Sequence, residues 1–278
     1  MREKRLQTKK GTVFYWLSDE WDESKENMFF FPGLTADHTM YEEQFNYFEG
    51  KYNLLVWDAP CHGKSRPYDE FSFNDTTDII LQIMNENHID NIIGVGQSLG
   101  GYYIQALIAR QPEKVKAFIG IGTTPYGEIY YSKSDIFWLK QVEWMGMCSP
   151  INLLKRAAAK GASHTEAGYK NMMKMTAPYK KREYCHLMQV AYNAFLEDNR
   201  NLKIPCPVLI TYGEYDRVGK VRQYCKMWHE QTHYPIEIIK NAGHNANVDN
   251  PEYMNYVIEK FLKEKSPLIK SAIVMLKK

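Results

Sequence analysis

Three short stretches of the chain carry side chains that could do nucleophilic chemistry together: Gly96-Gln97-Ser98-Leu99-Gly100-Gly101, Gly213-Glu214-Tyr215-Asp216 and Ala242-Gly243-His244. A serine hydroxyl is a weak nucleophile near neutral pH. It needs a base within hydrogen-bond reach and a third group that holds the base in the right tautomer. Ser98 is the candidate nucleophile, His244 the candidate base and Asp216 the candidate orienting acid. The spacing Gly96-x-Ser98-x-Gly100 suits a very sharp turn that lifts a serine hydroxyl above a sheet, because side chains two residues to either side would strike neighbouring backbone. A helix beginning at that serine would turn its free N–H groups toward any negative charge formed there. The plain alternative is a strand-to-helix turn with a capping serine.

Other residues compete for these roles. His88, His164, His186, His229 and His233 fall in helical or helix-end patterns and read as surface or structural groups. His38 and His62 lie on loops after strands, within reach of the same rim. Glu214 is the close competitor of Asp216 and reads as a solvated loop carboxylate.

These residues need a scaffold that brings three distant loops together. Short apolar runs alternate with longer helical patterns along most of the chain, the sign of a largely parallel sheet covered by helices. The opening segment through Val13–Leu17 predicts an antiparallel strand or hairpin. Strands follow at Met28–Phe31, Tyr52–Trp57, Asn91–Gly96, Val115–Ile121, Pro207–Tyr212 and Ile236–Ile239. Helices are expected over Thr39–Phe48, from Asn74 or Asp75, over Leu99–Arg110 and over Pro251–Lys263, where Pro251 suits a first turn. Each candidate catalytic residue then sits on a loop just after a different strand. Residues 126–202 contain no strong strand and have helical periodicity. They read as a helical cap inserted into one core made of residues 1–125 and 203–265, because the strand pattern continues on both sides; a separate small helical domain is the alternative. Residues 266–278 read as a short amphipathic extension.

The 278 residues are 44% hydrophobic and 24% charged, ordinary globular composition rather than disorder. A formal net charge of +2 gives no reason to expect nucleic acid or an anionic membrane as partner. Five scattered cysteines without CxxC spacing argue against a disulfide framework or structural zinc and for free thiols. No apolar stretch follows the basic N-terminus and none approaches about 18 residues, so neither a signal peptide nor a membrane span is expected, and the cytoplasm is the default location.

The order Ser, Asp, His along the chain, each on a loop after a strand, resembles the α/β-hydrolase fold superfamily. Gly-Gln-Ser-Leu-Gly-Gly is similar to its nucleophile elbow, Gly-Glu-Tyr-Asp to its acid loop and Ala-Gly-His to its histidine loop, and the resemblance spans nearly the whole chain. It implies an α/β fold with a mostly parallel central sheet flanked by helices. It also implies an oxyanion hole made of the backbone N–H groups of Leu99 and Leu34. Leu34 is placed by Phe31-Pro32-Gly33-Leu34, where Pro32 replaces the family's usual histidine and must brace the loop by rigidity. Asp58 to Ser65 resembles the family's Asp-x-x-Gly-x-Gly-x-Ser loop and reads as bracing under the site.

The implied chemistry is hydrolysis of an ester-type bond through an acyl-enzyme on Ser98, with no metal or organic cofactor. Ser98 in place of an aspartate argues against epoxide or haloalkane substrates. Tyr126, Trp138, Trp144, Met145, Met147 and Phe195 of the cap are the candidate lining of an apolar pocket for a small or medium substrate. The same triad also serves carbon–carbon, thioester, peptide or lyase chemistry, and a ligand receptor on this fold is the reading of another class. The expected partner is a small molecule; dimerisation through the cap or the tail stays open.

Overall fold

The computed structural model describes the backbone of residues 1–275 and the side chains of residues 1–265. Eight strands form one sheet: β1 (Arg2–Gln7), β2 (Thr12–Leu17), β3 (Asn27–Phe31), β4 (Asn53–Trp57), β5 (Ile92–Gln97), β6 (Val115–Ile121), β7 (Val208–Gly213) and β8 (Ile236–Ile239). Their spatial order is β1-β2-β4-β3-β5-β6-β7-β8. The β1–β2 and β2–β4 pairs are antiparallel and every other pair is parallel. Parallel strands share a direction, so the loops leaving β5, β7 and β8 emerge at one rim, where ligands bind in sheets of this kind.

The strand sequences show why the sheet is covered on both sides. Every residue of β4, β5 and β7 is buried, as expected of parallel strands packed between helix layers. Alternate side chains enter opposite cores. Phe29, Phe31, Leu55 and Trp57 join one, and Met28, Phe30, Leu54 and Val56 join the other. The first core is closed by α2 (Phe73–Glu86), α3 (Leu99–Arg110) and α9 (Val221–Thr232); the second by α1 (Glu42–Phe48) and α11 (Pro251–Met275). Helix α2 starts at Ser72, whose hydroxyl accepts the Asp75 N–H while Asp75 returns a bond to the Ser72 N–H, a capping box that satisfies two first-turn donors.

Between β6 and β7 the chain forms α4 (Lys133–Leu139), α5 (Val142–Met147), α6 (Ile151–Ala162), α7 (Glu166–Thr176) and α8 (Lys181–Asp198), with no strand. Tyr184, Leu187, Val190, Ala191 and Phe195 of α8 belong to the same apolar cluster as α2 and α3. The insertion therefore packs directly on the core and shares its apolar interior.

Two helices differ from the sequence expectation. Thr39–Phe48 splits into a 3₁₀ turn at His38–Tyr41, capped by the Asp37 side chain, and α1. Helix α11 runs without a break from Pro251 to Met275 through the point at 263 where the sequence reading ended it, so residues 266–275 extend that helix. The packing of its side chains beyond residue 265, and everything beyond 275, lies outside the described residues. Among the described residues no helix is long and apolar enough to cross a membrane.

Candidate active site

Ser98 stands between β5 and α3 with φ +50° and ψ −115°, a strained conformation that non-glycine residues rarely adopt. The glycines around it are required by close approach. A Cβ on Gly96 would lie 2.6 Å from the Gly100 carbonyl carbon and the Gly101 nitrogen, and one on Gly100 would run into the Phe31 carbonyl. The rim is laced by backbone hydrogen bonds. Ser98 N–H donates to Ile121 O (2.9 Å), Gly122 N–H to Thr211 O (2.7 Å), Glu214 N–H to Ile239 O (2.9 Å) and Tyr215 N–H to Ala242 O (2.8 Å). These bonds set the loops after β5 to β8 relative to one another.

His244 lies on the loop after β8, ahead of the short helix α10 (Ala246–Asp249). Its Nδ1 is 2.8 Å from Asp216 Oδ2, and both side chains are almost wholly buried. A carboxylate only accepts, so Nδ1 carries a proton, and the neutral imidazole with that proton has its lone pair on Nε2, the tautomer a general base needs. The other Asp216 oxygen accepts the Val218 N–H at 2.9 Å, which fixes the carboxylate. Glu214 points elsewhere, pairing with Lys240 (3.2 Å) and accepting the Asn241 N–H (3.2 Å). That backbone bond, together with Lys240, holds its carboxyl below the usual glutamate range.

Gln97, the residue before Ser98, joins the Ser98 turn to the His244 loop. Its Nε2 donates to the His244 carbonyl and to Asn245 Oδ1, both at 3.2 Å. Its other amide atom lies against Gly33, where any side chain would displace it. One buried side chain thus contacts the nucleophile turn, the histidine loop and the loop after β3.

Leu34 and Leu99 line the same cavity as Ser98. Leu99 is the first residue of α3, so its N–H belongs to the first-turn donors without a partner inside the helix. The loop carrying Leu34 is braced from below. Asp58 accepts the His38 N–H (2.7 Å), faces His38 Nδ1 (2.9 Å) and accepts the Lys64 N–H (2.6 Å). Ser65 Oγ bonds the Asp58 carbonyl (2.6 Å) and accepts the Phe14 N–H (2.9 Å). His38 stacks on Trp16. His62 is buried with Nδ1 on the Pro60 carbonyl (2.8 Å), and burial pushes its pKa down to about 4. Of the other histidines, His186 lies between Glu70 and Glu143, His229 on the Tyr234 carbonyl, and His164 stacks on Tyr215.

The cavity at Ser98 has a volume of about 350 Å³. Its core side is formed by Leu34, Leu99, Tyr102 and Thr123; its roof by Tyr131, Trp138, Leu139, Tyr192 and Phe195 of the insertion. Of the sequence-expected lining, Trp138 and Phe195 are present. Tyr126 is displaced into a second layer, stacked on Phe73 and Tyr102. Trp144 and Met145 do not line the cavity and are 67% and 47% exposed, and Met147 is exposed with them. Helix α5 meets α8 through Gly146, at Cys185, and through Glu143, whose N–H donates to Gln189 Oε1 (3.4 Å), while Trp144 and Met145 face outward. A larger cavity of about 620 Å³ lies between Arg66–Glu70 and α8 and holds no triad residue.

Sequence reasoning missed the tyrosines Tyr102, Tyr131, Tyr192 and Tyr224 of the cavity, and the pair Asp135 and Lys220 at its wall. It also missed Asp249. This carboxylate accepts the Gly243 N–H (2.7 Å), the His164 N–H (2.7 Å), the Thr165 N–H (3.0 Å) and the Thr165 hydroxyl (2.5 Å). Asn245 N–H donates to the Ala162 carbonyl (2.8 Å) beside it. The histidine loop is therefore stapled to the α6–α7 connection. No local signal could reveal this, because His164 and Thr165 lie more than 80 residues from Asp249. Among the described residues no group of three or more His, Cys, Asp or Glu side chains is placed to hold a metal ion.

A family model described as alpha/beta hydrolase fold matches residues 26–147. The chain is 23% identical over 250 residues to a 2-(acetamidomethylene)succinate hydrolase of Mesorhizobium japonicum, covering 84% of this chain and 87% of the relative. It is 22% identical over 249 residues to a putative esterase/lipase of Mycoplasma pneumoniae, covering 86% and 89%. Among solved structures, a thermophilic esterase from Thermogutta terrifontis superposes with a TM-score of 0.76 at 14% identity, over 95% of this chain and 99% of the other. The eight-stranded sheet and its flanking helices are those of the α/β-hydrolase fold.

Proposed function

We propose that this chain, which has the α/β-hydrolase fold, is a serine hydrolase that cleaves an ester-type bond in a small or medium substrate with an apolar face. The observation that carries the reading is the buried Asp216–His244 pair, tied through Gln97 to a strained Ser98 that opens into the aromatic cavity. Hydrolase and esterase relatives of similar length support the class of reaction.

In the proposed cycle His244 Nε2 takes the Ser98 proton as Oγ attacks the substrate carbonyl. Asp216 stabilises the imidazolium that forms. The Leu34 and Leu99 N–H groups meet the developing oxyanion. The leaving group departs with the proton from His244, and water cleaves the acyl-enzyme by the same steps. The insertion acts as a lid that excludes water and sets acyl size, since its side chains form the cavity roof.

The test is labelling by a fluorophosphonate and turnover of short-chain p-nitrophenyl esters, beside Ser98→Ala. Labelling and turnover that vanish in the variant are expected. Labelling without ester turnover would move the reading to thioester, carbon–carbon or lyase chemistry. No labelling would leave the receptor reading in front.

A further inference from the structure

We propose that Asp135 sets the charge selectivity of this site: it masks Lys220, so the cavity takes uncharged acyl groups and turns away substrates bearing a second carboxylate. The inference rests on the serine-hydrolase reading above and names the substrate class of that same site.

Asp135 and Lys220 line the cavity that contains Ser98, and they are its one charged pair among the described lining residues; the rest are aliphatic, aromatic, hydroxyl-bearing or glycine. They come from opposite sides. Lys220 stands on the core loop that also carries Asp216, four residues further on, just before α9, whereas Asp135 belongs to α4 of the insertion. Lys220 Nζ lies 2.6 Å from Asp135 Oδ1. The second carboxylate oxygen is held by the Ser132 N–H (2.9 Å) and hydroxyl (2.6 Å). Asp135 is thus fixed at the start of α4, 15% exposed, while Lys220 is 52% exposed and reaches it from the loop.

The bonds from Lys220 and Ser132 keep Asp135 ionised, well below the usual carboxylate range, despite the opposing effect of its partial burial. The cavity is therefore neutral overall, with the cation already engaged. A carboxylate entering the aromatic cavity would lose water without gaining a free cation, which is unfavourable. To reach Lys220 it would have to displace a carboxylate held by three donors. Without Asp135 the same cavity would present an unpaired ammonium to any acidic acyl chain.

The experiment compares p-nitrophenyl valerate with mono-p-nitrophenyl glutarate, acyl chains of equal length that differ by one terminal carboxylate. The wild type is expected to favour the valerate at least tenfold in kcat/KM. Asp135→Asn should lower that ratio at least tenfold and introduce inhibition by free glutarate. Adding Lys220→Met to Asp135→Asn should restore the preference, since the ammonium is the group unmasked. Lys220→Met alone should raise the ratio at least threefold, which keeps the test open if Asp135→Asn does not fold. Equal wild-type rates on the two esters would overturn the inference. So would an equal change on both in Asp135→Asn, the signature of a loosened lid. Those results leave ester hydrolysis standing, whereas absent fluorophosphonate labelling and absent turnover of both esters would remove the underlying reading instead.

Discussion

The rim loops after β5, β7 and β8 and the inserted helices face one cavity but hold their side chains in different ways. At the rim, Ser98, Asp216 and His244 are positioned by backbone bonds between neighbouring strand ends and by buried side chains such as Gln97. In the insertion, α4 and α5 carry no buried residue, and Phe137, Trp138, Trp144 and Met145 are all more than 40% exposed. The helices behind them are better packed: seven apolar side chains of α8 join the first core, and Ala159 of α6 with Met172 and Met175 of α7 join the second. The candidate reacting groups thus sit on a tightly bonded rim, and the exposed helices α4 and α5 rest on it through the better-packed helices of the insertion. Change in the roof should alter what binds; change at the rim should alter whether anything reacts.

The largest effect that contrast predicts is at Ser98. Ser98→Ala should cost about 10³-fold or more in ester turnover while leaving the unfolding midpoint near that of the wild type, as steady-state rates and denaturant titration would show. Retained turnover would end the division of labour drawn above.

Asp249 tests whether the regions are independent. Asp249→Ala strips an acceptor from Gly243, His164 and Thr165, and should cost about 2 kcal/mol of stability and about tenfold in kcat, with KM moving less. Asp249→Asn, which keeps one acceptor oxygen, should recover part of both. An unchanged kcat in the alanine variant would show that the histidine loop does not depend on its tie to the insertion.

His62 probes the bracing beneath the rim. Its folded pKa of about 4 lies below the ordinary value of 6.5, so the unfolded chain takes up the proton first. The stability contributed by neutral His62 is complete above pH 6.5 and is lost as the pH falls toward 4. Denaturant titrations should show a loss of about 2 kcal/mol between pH 7.5 and 5, reduced in His62→Gln, whose amide can still donate to Pro60 O. An equally steep loss in the variant would assign acid sensitivity to other groups.

The smallest effects should come from the outer roof, and the paired variants there sharpen the comparison. Trp138→Ala should raise KM for longer acyl esters severalfold, because Trp138 lines the cavity. Trp144→Ala should leave kcat and KM within about twofold and stability within about 0.5 kcal/mol. Similar effects from both would mean the α5 face belongs to the site after all.

Much of the core was legible because local pattern and tertiary outcome agree there. The helix Leu99–Arg110 and the strands Val115–Ile121 and Ile236–Ile239 fall where periodicity places them. The nucleophile turn was legible because its steric demand leaves glycine as the residue that fits at 96 and 100, and that demand is written in the sequence. Trp144 and Met145 were misplaced because α5 is a short helix with apolar side chains on several faces, so periodicity could not say which one met α8. The continuation of α11 past Lys263 was missed, although Glu264 and Lys265 are good helix formers.

By itself, the sequence determined the kind of sheet, the order of the three candidate catalytic residues and the turn that presents Ser98, because each depends on residue type and spacing within a few positions. Tertiary structure alone decided which aromatic residues face the cavity. It also decided that Asp249 ties the histidine loop to the insertion and that Asp135 covers Lys220. Those outcomes depend on the direction of side chains brought together from tens to hundreds of residues apart, and direction at that range is fixed only when the layers pack.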